Sequence, residues 1–250
     1  MTREPEKRPV DVSAYQVDHH TRRDPHRQAA ALSDIILGGQ DGLVNVLGIV
    51  LGVAAATADA RIVLAAGMAA TFAESVSMAA VAYTSRLADS AFYQSERERE
   101  YRHVHLVPSV ERQEIREIYH TKGFEGELLD RIVETITADT DTWVGVMMSE
   151  EHRLSPTDRS MAIRSGLIVG LSAIVGSLIP LSPFILFPVQ IGIWSSVLVG
   201  ALVLFAVGVY KARATVGHMG RSGLEMAVIG TLSAMVGYLV GLIFRVPGTP

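Results

Sequence analysis

The stretch of sequence that decides the fold is IILGGQDGLVNVLGIVLGVAAATA, residues 35–58, whose only charged side chain is that of Asp41. A helix needs about 20 apolar residues to cross the hydrocarbon core of a bilayer, and this stretch is long enough. Four more apolar stretches follow it, at 62–87, 162–179, 189–209 and 224–244. Five such segments favour five membrane-spanning helices over the buried core of a soluble protein.

The composition is typical of a membrane protein that carries a soluble part. Of the 250 residues, 49% are hydrophobic and 19% are charged, whereas a soluble domain has about 25% charged residues. The charges cluster at 1–34 and 86–164. The chain has no cysteine, which excludes disulfides and thiolate metal sites, and its net charge of −4 argues against a nucleic acid partner.

We predict an all-α fold, with a five-helix transmembrane bundle and a three-helix cytosolic insert between spans two and three. The predicted divisions are a flexible cytosolic tail at 1–31, transmembrane helices one and two at 32–90, an acidic metal-binding insert at 91–159 and transmembrane helices three to five at 160–250. The third span is expected to end at Pro180 and Pro183, because proline lacks the backbone N–H of a helix.

Three helices are predicted in and around the insert. The absence of Gly and Pro over 68–107 predicts one continuous helix, which carries the second span out of the membrane as a stalk. A second helix is expected to start near Ser109, a favourable N-cap, and to end at 122–123. A third is expected over 125–154, with a break near 139–141.

Basic residues in the short loops set the predicted orientation, since cytosolic loops are rich in Lys and Arg. The loop at 210–222 has Lys211, Arg213 and Arg221, whereas the loops on the opposite side contain only Arg61. The tail, the insert and this loop are therefore predicted to be cytosolic, and the C-terminus to lie outside. The tail has no apolar segment of a cleaved signal peptide, and we expect a prokaryotic plasma membrane.

Two acidic residues are predicted at membrane depth, where an ionisable side chain is costly and indicates function. Asp41 in the first span is followed by Asn45 one turn later, and Glu74 in the second span is followed by Met78 one turn later. Carboxylate and thioether groups together suit a partly dehydrated, borderline-soft cation. We predict a cation site formed by these four residues; the alternative is a structural polar contact between helices.

Small residues accompany this polar pair along the first span. Gly38, Asp41, Asn45, Gly48 and Gly52 follow one another at intervals of 3, 4, 3 and 4 residues, which places them along one seam. Small residues let helices approach closely. We therefore expect the seam to face another helix, or a water-filled crevice, and not lipid.

The insert concentrates candidate metal ligands. Residues 91–155 contain 14 of the 26 acidic residues and 8 basic ones, a local net charge of −6 that attracts cations. The spacing places three sets of candidate ligands on three helices, each set along one face of its own helix. They are Glu96, Glu100 and His103; Glu111, Glu114 and Glu117; and Met147 and Met148 with Glu150 and Glu151. Carboxylate and imidazole suit Fe(II), Mn(II) and Zn(II), and thioether suits softer ions. The alternative is a solvated face with Glu–Arg pairs.

Four parts of the sequence resemble motifs of the vacuolar iron transporter family, and the chain is similar to a prokaryotic-type member of it. They are 40–44 with 51–54; the Ser77-Met78-Ala79-Ala80 stretch with Tyr83 and Ser85; Pro108-x-x-Glu111-x-x-Glu114 with Ile118-Tyr119-x-x-Lys122-Gly123; and Met147-Met148-x-x-Glu151. The resemblance extends over residues 30–245 and preserves the order of the elements.

This resemblance implies a homodimer of five-helix subunits in a lipid bilayer, with the first helices paired along Gly38, Gly48 and Gly52. It implies a proton-coupled transporter, not an enzyme, that exports cytosolic Fe(II), with Mn(II) as a second substrate and no permanently bound cofactor. Asp41 and Met78 match the family's translocation site. Glu100, His103, Glu111, Glu114, Met147 and Glu151 match its cytosolic metal site, beside which Glu96 and Glu150 are further candidates.

The chain departs from the family's pattern at a few positions. Val81 and Ala82 stand where the family commonly has Gly-Glu, and His103 stands where it commonly has glutamate. These differences bear on metal preference and on proton coupling.

Two Glu-x-x-His pairs, Glu100/His103 and Glu117/His120, indicate an alternative function. This is the spacing of ferritin-like di-iron bundles, so the alternative is a membrane-anchored di-iron ferroxidase or iron-storage module. Such bundles need four helices, whereas the insert is predicted to have three. A purely structural membrane protein would leave Asp41 and Glu74 unexplained.

Overall fold

The computed structural model describes residues 26–156, 159–214 and 217–245, and within them the chain is helical, with no strand. The helices are α1 His26–Thr57, α2 Ala60–Leu106, α3 Pro108–Thr121, α4 Gly126–Thr137, α5 Thr140–Val146, α6 Arg159–Leu186, α7 Val189–Ala214 and α8 Met219–Ile243, with a π-helical segment at Met147–Glu151 between α5 and α6. Most of the predicted tail lies outside the described residues, and its last part, from His26, belongs to α1.

Five of the helices in the described ranges are long and apolar enough to cross a membrane, which confirms the predicted all-α fold with five spans. They are α1 from Ala31, α2, α6, α7 to Arg213, and α8. Many of their exposed side chains are large and apolar, as lipid-exposed surfaces require. α1 packs against α6 and α8, α2 packs against α6, and α7 packs against α8.

The second span and the stalk form one helix, as predicted. α2 has 47 residues and is therefore about 70 Å long at 1.5 Å per residue. It begins after Asp59, whose carboxylate accepts hydrogen bonds from the backbone N–H groups of Arg61 and Ile62 at 2.7 and 3.3 Å. It ends at Leu106. α3 begins at Pro108, and its N-cap is Val107, two residues before the predicted N-cap Ser109.

The third span continues past both prolines, and the prediction that it ends there is wrong. α6 runs to Leu186 with Pro180 and Pro183 inside it. Proline cannot donate to the carbonyl four residues earlier, but the hydroxyl of Ser182 donates to the carbonyl of Ile179 at 2.8 Å in place of the Pro183 N–H. The hydroxyl of Ser196 on α7 donates to the carbonyl of Pro180 at 2.6 Å. The Ser182 side chain thus replaces the backbone bond lost at Pro183, as membrane helices require, and the Ser196 bond joins this part of α6 to α7.

The glycines of the α1 seam pack against α6 and α8 of the same chain. A methyl group added to Gly38 would lie 2.2 Å from the carbonyl oxygen of Val169 on α6. One added to Gly52 would lie 2.8 Å from that of Gly237 on α8, and one added to Gly237 would lie 2.2 Å from that of Gly48. The small residues therefore let α6 and α8 approach the backbone of α1.

The insert has its own apolar core. α4 follows α3, and the helix breaks at 138–139, near the predicted position. The Asp139 side chain then caps α5 by accepting a hydrogen bond from the Thr142 N–H at 2.8 Å. The buried core residues are Val104, Ile115, Leu129, Val133, Ile136, Trp143, Val144, Met147 and Met148. This core holds α3, α5 and the π-helical segment against the distal end of α2.

Candidate functional site

Three of the four predicted membrane-depth residues meet at one point between α1 and α2. The Asn45 side-chain amide donates to Glu74 Oε1 at 2.6 Å and to Asp41 Oδ2 at 3.3 Å. One neutral amide thus joins two carboxylates that lie on different spans. Met78 is half-buried one turn farther along α2. We refer to Asp41, Asn45 and Glu74 as the membrane polar group.

A second polar contact joins the same two helices. Asp34 is buried, and its carboxylate lies 3.7 Å from the Arg86 guanidinium. The pair lies 11 residues from Asn45 along α1, which is about 16 Å. Sequence reasoning missed it, although two opposite charges at corresponding ends of adjacent antiparallel spans are a detectable signal.

In the insert, the turn at Pro108 brings α3 back against α2 and places Glu111 beside His103. The Nδ1 atom of His103 lies 3.4 Å from Glu111 Oε1 and 3.8 Å from Glu100 Oε1. The ligand atoms of Glu100, His103 and Glu111 are within 4.8 Å of one another, close enough to hold one metal ion. The faces of α2 and α3 that were predicted to carry metal ligands therefore converge at this group.

The carboxylates in this group are buried without a full set of partners. Glu100 and Glu111 are each 3% exposed, and one oxygen of each, Oε2, is buried with no hydrogen-bond partner. Burial, together with the charges of Glu114 and Glu100, raises the pKa of Glu111 to about 7. A divalent cation would satisfy these oxygens and offset the repulsion between the carboxylates.

A second group shares Glu100 and includes a residue that sequence reasoning missed. Glu100, Glu151 and His152 also offer ligand atoms within 4.8 Å of one another, and His152 Nε2 lies 3.0 Å from Glu100 Oε1. Burial, and then the charge of Glu114, raises the pKa of Glu151. Burial alone would lower the pKa of His152, but its hydrogen bond to Glu100 and the charge of Glu151 raise it overall.

The other predicted ligands lie around these groups in different roles. Glu114 is half-buried and close enough to raise the pKa of Glu111. Met147 is fully buried in the apolar core of the insert. Glu96 pairs with Arg99 at 3.0 Å, and Glu150 pairs with Lys122. These two glutamates thus each have a basic partner, and Glu96 is buried.

The second Glu-x-x-His pair does not join the buried groups. Glu117 is exposed and accepts a hydrogen bond from Gln113 Nε2 at 3.2 Å, and His120 is exposed at the end of α3. A di-iron centre needs both pairs on facing helices. Among the described residues, neither Glu117 nor His120 belongs to a group that could hold a metal ion.

Comparison with known proteins shows the family of the chain. A model of the VIT family matches residues 32–242. The chain is 30% identical over 230 residues to vacuolar iron transporter 1 of Oryza sativa subsp. japonica, covering 92% of this chain and 91% of the relative. It is 29% identical over 244 residues to vacuolar iron transporter 1 of Arabidopsis thaliana (97% and 94%) and 31% identical over 224 residues to the vacuolar iron transporter of Plasmodium falciparum (86% and 82%). The chain therefore belongs to the VIT family.

Proposed function

We propose that the protein is a proton-coupled divalent metal transporter that exports Fe(II) from the cytosol, with Mn(II) as a second substrate. The observation that carries this proposal is the membrane polar group, in which two carboxylates on different spans share one amide donor. Ionisable side chains at this depth are costly and mark ion pathways. The names of the relatives, which refer to iron transport, support the choice of ion.

The insert supplies the first binding step in this proposal. Its local charge of −6 raises the concentration of cations near its surface. Glu100, His103, Glu111 and Glu151, here called the capture site, then bind the ion through carboxylate and imidazole groups that lie close together. Zn(II) suits the same donors, so it is a further candidate ligand.

Proton coupling follows from the chemistry of the membrane polar group. A carboxylate holds either a proton or a metal ion, so the two compete for Asp41 and Glu74. An arriving ion takes the place of the Asn45 amide between the two carboxylates, and the half-buried thioether of Met78 lies one turn away as a softer ligand. Protons from the opposite side then displace the ion and restore the starting state. The protein needs no permanently bound cofactor and no catalysed bond change for this cycle.

The proposed assembly is a homodimer in which the Asp41 and Asn45 side of α1 is covered by a second copy. Asn45 is exposed in the single chain although it lies in a membrane-spanning helix. A polar side chain facing lipid is unfavourable, whereas a second subunit or a water-filled path satisfies it. The glycines of α1 pack against α6 and α8 of the same chain, so the exposed Asn45 is the observation that supports this proposal.

The proposed orientation places the N-terminal tail, the insert and the α7–α8 loop in the cytosol, with the C-terminus outside. Lys211 and Arg213 at the end of α7 support it through the excess of basic residues in cytosolic loops. We propose a prokaryotic plasma membrane. The names of the relatives refer to a vacuole, and transport out of the cytosol is the same direction in both cases.

The test is metal flux into proteoliposomes with an imposed pH gradient, with Fe(II), Mn(II) and Zn(II) in competition. Asp41→Ala is expected to abolish flux while the dimer survives size-exclusion chromatography. Asp89→Asn, a change of an exposed carboxylate on α2, is the matched control and should leave flux unchanged. Undiminished flux through Asp41→Ala would overturn the assignment of the site, and flux that ignores the pH gradient would overturn proton coupling.

A further inference from the structure

We propose that His152 is a metal-ligating residue of the capture site that determines its specificity. Together with His103 it gives Glu100 two neighbouring imidazoles, which select first-row transition ions over Mg²⁺ and Ca²⁺. This inference rests on the proposed function of the insert as the place where the cytosolic ion is bound. It adds a ligand that the spacing of the sequence did not indicate.

The π-helical segment is what brings His152 to the site. The His152 N–H donates to the carbonyl of Met147 at 3.2 Å, a bond to the fifth residue back instead of the fourth. In a regular α-helix, the N–H of Glu151 would donate to this carbonyl instead. The additional residue in the turn places His152 above the buried Met147, on the side that meets α2. Single π-helical turns are frequent at functional sites for this reason.

The backbone at Arg153 and Leu154 ends the helix directly after His152. Arg153 has a φ of 55°, in the left-handed region that is unfavourable for residues other than glycine. The Leu154 N–H donates to the carbonyl of Met148 at 2.9 Å, a bond that spans six residues and closes the end of the π-helical segment. Backbone strain of this kind persists where the surrounding structure holds it.

The two imidazoles approach the same carboxylate. His152 Nε2 lies 3.0 Å from Glu100 Oε1, and His103 Nδ1 lies 3.8 Å from the same atom. His103 comes from α2, and His152 follows the π-helical segment. Each histidine forms a three-residue group with Glu100 whose ligand atoms lie within 4.8 Å of one another.

An independent observation indicates that a cation belongs among these groups. The Oε2 atoms of Glu100 and Glu111 are buried and have no hydrogen-bond partner, and each residue is only 3% exposed. A buried carboxylate oxygen without a donor is costly unless an ion or another partner satisfies it. His152 is itself half-buried beside them.

Imidazole ligands change which ion such a site prefers. Sites made of carboxylate oxygens alone suit Mg²⁺, Ca²⁺ and Mn²⁺, whereas imidazole nitrogen suits Fe, Zn, Ni and Cu ions. Mg²⁺ also dehydrates reluctantly and is seldom held by an all-protein set of ligands. Two nitrogens at Glu100 therefore favour a transition ion when Mg²⁺ is in large excess.

The test uses the full-length protein in detergent with Co²⁺ as an air-stable substitute for Fe(II). The background carries His19→Gln, His20→Gln and His26→Gln, which removes the imidazoles of the N-terminal region. Co²⁺ affinity is measured by calorimetry with and without excess Mg²⁺. X-ray absorption at one Co²⁺ per chain then counts the imidazoles bound. His152→Gln is compared with His105→Gln, which alters an exposed imidazole near the end of α2.

His152→Gln is expected to weaken Co²⁺ binding by about tenfold or more, to leave Mg²⁺ binding unchanged and to lower the imidazole count. His105→Gln should change none of these. Unchanged Co²⁺ affinity in His152→Gln would overturn the inference. Weaker binding with an unchanged imidazole count would overturn it as well, because His152 would then only position Glu100. Full Co²⁺ binding by Glu100→Gln would instead overturn the capture site itself.

Discussion

Replacing Gly241 on α8 with alanine should destabilise the protein, because two helix backbones touch at this point. The added methyl group would lie 2.0 Å from the carbonyl oxygen of Gly52 on α1, whereas an ordinary contact is at least 3.4 Å. α8 must therefore retreat by about 1.4 Å, and the neighbouring contact of Gly237 with Gly48 opens with it.

The magnitude follows from two opposing terms. Overpacking of this kind costs about 1–3 kcal/mol, and alanine recovers up to about 1 kcal/mol through its higher helix propensity. With the full recovery, the expected net loss is up to about 2 kcal/mol, which corresponds to a decrease in melting temperature of up to about 8 °C for a chain of this size.

The assay is thermal unfolding of the purified protein in detergent, followed by size-exclusion chromatography after heating. Gly220→Ala is the matched control: it makes the same change on the same helix, where an added methyl group meets nothing within 4 Å. The control should melt at or slightly above the temperature of the unmodified protein. If Gly241→Ala melts no lower than that control, the close contact between α1 and α8 is wrong.

Two further predictions concern the insert. The raised pKa of Glu111, about 7, means that its deprotonated fraction rises from about one tenth at pH 6 to about nine tenths at pH 8. Between pH 6 and pH 8, the Co²⁺ affinity of the unmodified protein should therefore rise about tenfold more than the affinity of Glu111→Gln, as measured by calorimetry. An equal rise in both proteins would contradict the role of Glu111 as a ligand. Glu117 is exposed, so Glu117→Gln should leave the Co²⁺ stoichiometry unchanged. If the unmodified protein takes up oxygen when Fe(II) is added and Glu117→Gln does not, the di-iron alternative would be favoured.

Several features could be predicted because they depend on local pattern. The five spans follow from hydropathy, and the uninterrupted α2 follows from the absence of Gly and Pro over 68–107. Asp41 and Glu74 could be named as candidates because ionisable side chains at membrane depth are costly, whereas their shared contact with Asn45 is seen only in the structure.

Other features depended on partners that the sequence pattern does not show. The prediction that α6 ends at its prolines failed because it considered only the lost N–H groups. The Ser182 hydroxyl supplies another donor to the carbonyl of Ile179, and the Ser196 hydroxyl joins the proline segment to α7. Glu96 and Glu150 have the spacing of ligands, but Arg99 and Lys122 lie close enough to pair with them.

The sequence by itself determined the class of protein: a five-span membrane protein with an acidic insert and no thiolate ligands. Hydropathy and helical periodicity are properties of consecutive residues, so they can be read without knowing the fold. The tertiary structure alone decided which candidates share a site. The turn at Pro108 brings Glu111 to His103, and one additional residue in a π-helical turn brings His152 to Glu100. Both effects depend on where the backbone reverses or shifts register, and residue spacing along a regular helix contains no information about either.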